Sequence, residues 1–214
     1  MKIRAFAVIA ALAIPMVALA DTPKNNPNYD KTTDNPNKPT DKDKTKLSDA
    51  DMAILSHLHH VNQMEIDLGK LAQTKGTAPV KKYGEMLVKD HQQADKDALA
   101  FAKKHGTAMI PKEKPATDAE KQEDKDMMDQ AAHLKTLKGA DFDKDFLTMM
   151  VAGHEKELAK IDVAMGQTSD ADLKDMLSNV KPVLQRHSDQ ARDLQKSSPS
   201  ASAEPVEDKP NGTK

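Results

Sequence analysis

Four ionisable residues stand where the surrounding pattern calls for apolar side chains: Glu65, His91, His154 and His187. Counted at about 100° per residue, the stripe Ile54, Leu58, Val61, Leu68 and Ala72 runs through Glu65. Val80, Gly84, Leu87, Ala94 and Ala98 run through His91 in the same way. Leu147, Met150, Val151, Leu158, Ile161 and Met165 pass through His154, and Leu173, Leu177, Val180, Leu184, Ala191 and Leu194 through His187. A lone imidazole on an apolar face is ordinarily a neutral, hydrogen-bonded core residue. A buried carboxylate is costlier and needs a partner. Three imidazoles and one carboxylate from four segments suit a single Zn²⁺, Fe²⁺ or Cu²⁺ ion. The same four residues can equally form a metal-free network in which Glu65 accepts from the histidines.

The elements that must position them are helices, because the apolar repeat follows the helical period and no run alternates with period two. Expected helices cover 48–75, 77–105, 117–138, 141–167 and 169–196. Their starts are marked by Ser48 with Asp51, Thr77 before Ala78-Pro79, Thr117 with Glu120, Asp141 after Gly139-Ala140, and Ser169 with Asp172. Gly76, Gly106, Pro111, Pro115, Gly139 and Gly166 punctuate the intervals. A short turn makes the first two helices antiparallel and places Glu65 and His91 within about 5 Å in height, at 1.5 Å per residue. His91 and His154 come level if the second and third long helices run parallel. That arrangement needs a return connection, and the segment 117–138 is long enough to make it. His187 lies about five residues further from its turn than His154, and a kink at Pro182 is expected to bring it back.

Outside this domain, placed at 47–196, the chain changes character. Lys2 and Arg4, the apolar run AFAVIAALAIPMVALA and the pattern Ala18-Leu19-Ala20 read as an export signal covering 1–20, cleaved after Ala20. The apolar run is too short, and interrupted by Pro15, to span a membrane. Segments 21–46 and 197–214 have little to bury and are expected to stay disordered as polar linker and tail. Asn211-Gly-Thr213 matches a glycosylation sequon, a pattern common by chance. Removing Lys2 and Arg4 from 32 basic residues leaves 30 against 34 acidic ones, about −4 for the mature chain. Such a balance gives no drive toward nucleic acid or anionic lipid. There is no Cys, which excludes thiolate catalysis, disulfides and thiolate metal sites.

Weaker signals lead less far. His57 and His60, three apart, form either a surface metal pair or a solvated polar edge, and His59 points nearly opposite the stripe. HEKEL from His154 starts like a zincin helix, but Leu158 occupies the second histidine position. Met149 and Met150 beside His154 leave copper open, although Met as filler in an aromatic-poor core explains them equally. No nucleophile elbow, phosphate loop or dinucleotide fingerprint is present.

The runs Glu65-Ile66-x-Leu68-Gly69-Lys70-Leu71-Ala72, Met86-x-x-x-Asp90-His91, Met150-x-x-x-His154-Glu155-Lys156 and Lys181-Pro182-x-Leu184-x-x-His187 resemble the exported bacterial proteins classed as domain of unknown function 4142. The resemblance covers about residues 48–196. It implies an all-α, ferritin-like four-helix bundle with a short extra helix in the crossover between the second and third long helices, and an envelope location, but no settled activity. No His here has a Glu three residues before it, so the Glu-x-x-His pairs of di-iron bundles are missing. The expectation is an exported periplasmic or envelope protein that holds one Zn, Fe or Cu ion at Glu65, His91, His154 and His187, for sequestration or stress buffering. The alternative is a metal-free structural or partner-binding protein, with the protein partner and oligomeric state open. An enzyme is the weakest reading, since no acid, base and open metal position can be assembled from the residues.

Overall fold

The computed structural model describes residues 46–197. Among these residues there are five helices and no strand: α1 (Asp49–Lys75), α2 (Ala78–Lys104), α3 (Asp118–Thr136), α4 (Gly139–Gln167) and α5 (Ala171–Ser197). The expected export signal, the linker apart from its last residue, the tail beyond Ser197 and the sequon lie outside the described residues.

Local chemistry accounts for most of the helix ends. Ser48 caps α1 by accepting from the Asp51 amide, and Thr117 with Glu120 forms a reciprocal capping box on α3. Thr77 precedes α2 with Pro79 in its first turn, as expected; it makes no side-chain cap, and its hydroxyl and its amide both donate to the Asp143 carboxylate on α4. Two other expected starts are corrected. The cap of α5 is Asp170 rather than Ser169, since the Leu173 amide donates to its carboxylate at 2.9 Å. α4 begins at Gly139, two residues before Asp141, because Gly139 takes φ of +59° and turns the chain out of the preceding segment.

The helices form two hairpins, α1 with α2 and α4 with α5, which pack on each other through α2 against α5 and α1 against α4. Cross-helix pairs fix their directions. Thr77 and Asp143 join the starts of α2 and α4, so these helices run parallel, the condition under which His91 and His154 come level. Asp51 near the start of α1 accepts from Thr168 just past the end of α4, and Lys104 at the end of α2 pairs with Asp172 at the start of α5. Both of those helix pairs are therefore antiparallel. α3 runs back along α4, with Glu123 against Lys156 and His133 against Asp145. It is the return connection that parallel α2 and α4 require.

Within α1 and α2 the backbones nearly touch. A Cβ on Gly84 would lie 2.6 Å from the Gly69 carbonyl oxygen, and one on Gly69 would lie 2.8 Å from that of Gly84. This approach seats the last turns of α1 against the first turns of α2, beside the connection between them.

The apolar interior is divided in two. One cluster contains Leu55, Leu58, Ala98, Phe101, Ile161, Leu173, Leu177 and Leu184. The other contains Leu68, Leu87, Phe142, Phe146, Leu147, Met150 and Ala191. On every one of the four long helices the residue singled out from the sequence lies between the two: Glu65 between Leu58 and Leu68, His91 between Leu87 and Ala98, His154 between Met150 and Ile161, His187 between Leu184 and Ala191. A polar layer thus separates two hydrophobic halves.

Candidate metal centre

The three histidines converge. His91, His154 and His187 are all buried, and each offers one ring nitrogen that lies within 4.8 Å of the other two. Ring centroids stand 6.0 Å apart for His91 and His154, and 5.2 Å apart for each of these with His187. His187, the residue whose level is hardest to infer from the sequence, is in register with the others.

The hydrogen-bond partners determine which nitrogens face inward. His154 Nδ1 stands 2.8 Å from the Met150 carbonyl, an acceptor only, so Nδ1 carries the proton and Nε2 is left with its lone pair. His187 Nε2 donates to Asp90 Oδ2 at 3.0 Å, which leaves Nδ1 bare. His91 Nδ1 donates to the Asn62 side-chain oxygen at 2.9 Å, and its Nε2 is buried without a partner. Three lone pairs therefore point into one space, two of them, His154 Nε2 and His187 Nδ1, only 3.3 Å apart. Two bare nitrogens at that separation repel unless a proton or a cation lies between them.

Electrostatics favour the neutral form of His91 and His187. Burial, and then the neighbouring imidazoles His187 and His154, lower the His91 pKa to about 3. Burial also dominates at His187; the Asp90 carboxylate opposes it, and the pKa still falls to about 4. Burial acts in the opposite sense on Asp90, but hydrogen bonds from His187 and Arg186 outweigh it and hold the carboxyl below its ordinary range. Neutral imidazole with its remote N–H fixed on an oxygen is the form in which histidine ligates a metal.

Glu65 is buried beside this group but is not one of the atoms that converge within 4.8 Å. Its Oε2 has no hydrogen-bond partner. Burial raises its pKa, and the nearby His154 offsets part of that rise. The proton of each ring goes elsewhere, to Asn62, Met150 and Asp90, so the network in which Glu65 accepts from the histidines is not the arrangement found.

The supporting residues Asn62, Asp90 and Tyr83 escape the stripe count. Tyr83 donates to the His187 carbonyl at 3.0 Å and steadies the backbone there. Two of the three carry faint signals in the sequence: Asn62 precedes Glu65 by three residues, hence on the same side of α1, and Asp90 adjoins His91.

The other histidines behave differently. His57 is neither a solvated edge nor a free ligand, because both its nitrogens are taken, by Glu113 and Glu157, each at 2.8 Å. Burial lowers its pKa, but the two carboxylates prevail and raise it to about 9, so His57 is a cation at neutral pH. His59 binds Asp95 on α2. Among the described residues no helix is long and apolar enough to cross a membrane.

No curated protein and no solved structure matches the chain. A family model described as "Domain of unknown function (DUF4142)" matches residues 36–194.

Proposed function

The chain belongs to that family, whose description assigns no activity, and we propose that it is a metal-binding protein that holds one divalent transition-metal ion on His91 Nε2, His154 Nε2 and His187 Nδ1. The observation that carries this reading is the set of three inward lone pairs, each fixed by an outward N–H on an oxygen acceptor. A cation replaces the mutual repulsion of the nitrogens with three bonds. Glu65, buried with a partnerless oxygen, supplies the negative charge that such an ion needs in a poorly polarisable interior. Nitrogen donors with one carboxylate suit Zn²⁺, Fe²⁺ or Cu²⁺ and do not suit Mg²⁺ or Ca²⁺.

The finer parts of this reading are that the helices form a ferritin-like four-helix bundle with α3 as its crossover, that residues 1–20 direct export, and that the ion is held in the cell envelope for sequestration or buffering. The crossover direction of α3 and the composition of residues 1–20 support them. With no Glu-x-x-His pair on any helix, the chain is read as a single-ion carrier, not a di-iron oxidase.

Melting of the untagged protein tests the reading. An ion that binds only the native state must raise the melting temperature as its concentration rises. Such a rise is expected with Zn²⁺, Cu²⁺ or Fe²⁺, and it should disappear with chelator and in His154→Ala. A response flat across all three ions would contradict the proposal.

A further inference from the structure

The metal reading leaves open how an ion reaches three enclosed histidines, and one cavity answers it. A cavity of about 530 Å³ lies between α2 and α5, lined among others by Asn62, Asp90, His91, Asp97, Asp172 and Asp175. We propose that this cavity is the path by which a hydrated divalent transition-metal cation enters and leaves the centre. The inference rests on the metal reading above and adds to it the route and the charge that governs it.

Three observations converge on this cavity. His91 is the one member of the triad that lines it, and His91 carries the buried nitrogen that has no partner. His154 and His187 are 1% and 0% exposed, so neither offers a second approach. The α1–α2 interface is closed where Gly69 and Gly84 meet, and another cavity, lined by Pro79, Tyr83 and Leu194, includes no histidine of the triad.

Charge selects the traveller. Four carboxylates line the cavity; Asp90 is paired with Arg186 and Asp172 with Lys104, which leaves Asp97 and Asp175 to set its negative charge. A cleft lined by one sign of charge concentrates counter-ions and speeds their association. Size is adequate: six waters at about 30 Å³ each bring a hydrated ion to roughly 200 Å³. Asp97 and Asp175 are exposed residues of α2 and α5, so their amide analogues leave the core untouched.

Stopped-flow mixing of metal-free protein with Co²⁺, read by visible absorption, decides the matter. Asp97→Asn/Asp175→Asn should load roughly three- to tenfold more slowly than the parent, reach the same final absorption, and lose most of the parent's sensitivity to salt. Ala94→Phe, which places a ring in the cavity wall, should slow both loading and release to chelator. Unchanged rates in the carboxylate variant and the ring variant, with normal final absorption, would overturn the route while leaving the metal site standing. Absence of Co²⁺ uptake by the parent would overturn the metal reading, and the route with it.

Discussion

Burying Glu65 costs free energy that no hydrogen bond to its Oε2 returns. A structural role is therefore a poor account of this residue. Glu65→Gln keeps its shape and removes its charge, so the metal-free protein should hold its stability or gain some, while affinity for Zn²⁺ falls by about 10- to 100-fold. A loss of roughly 1–3 kcal/mol in the metal-free protein would instead mean that the carboxylate anchors a polar network. Asp90 tests the same idea from outside the triad, because it fixes which nitrogen of His187 is bare. Asp90→Ala removes the acceptor and should weaken metal binding by about 10- to 100-fold while the chain still folds, as loss of a ligand's orienting partner commonly does. Titration with Zn²⁺ beside a chemical unfolding curve separates the two effects in both variants. At this scale the sequence is partly legible. An ionisable residue in mid-stripe stands out, and the Met150 carbonyl is one turn before His154 on the same helix, but the acceptors Asn62 and Asp90 sit on other helices than the rings they hold, so their roles follow only from how the helices pack.

Among the elements, the α1–α2 contact and the anchoring of the crossover control the site. Because backbone faces backbone at Gly69 and Gly84, an added methyl has no flexible neighbour to displace. Gly84→Ala should cost about 1–3 kcal/mol in unfolding free energy. His57 on α1 ties down the connection after α2 through Glu113, and α4 through Glu157, with Lys160 and His60 as the other charged or titratable neighbours. Its folded pKa, about 9, lies above the ordinary 6.5. The stability it contributes is therefore complete below pH 6.5 and is lost as pH rises through 9. Unfolding curves of metal-free protein between pH 6 and 10 should show the parent losing its advantage over His57→Gln across that window; parallel profiles would remove the role. The helices themselves are legible because period, caps and glycines agree. Ser169 misleads because the cap of α5 is the next residue, Asp170, which the exact turn selects.

For the molecule as a whole, the division of the core into two apolar halves makes the polar layer a place where apolar packing gives way to ionisable side chains. The sequence carries this division, since each stripe is interrupted once near its centre. The level of His187 is not readable in that way. It depends on how α5 sits against α2 and α4, and Pro182 lies within α5 without ending it. Trimming the expected mature chain, 21–214, to residues 47–196 should leave the melting transition nearly unchanged, because both removed segments, 21–46 and 197–214, have little apolar surface to bury; a large loss would show that they pack. The central claim is that three bare nitrogens await one ion. Equilibrium titration of the untagged, metal-free chain with Co²⁺ tests it most directly. The account predicts visible absorption that saturates at one ion per chain and is abolished in His154→Ala/His187→Ala; no absorption in the parent, or the same stoichiometry in that double variant, would contradict it.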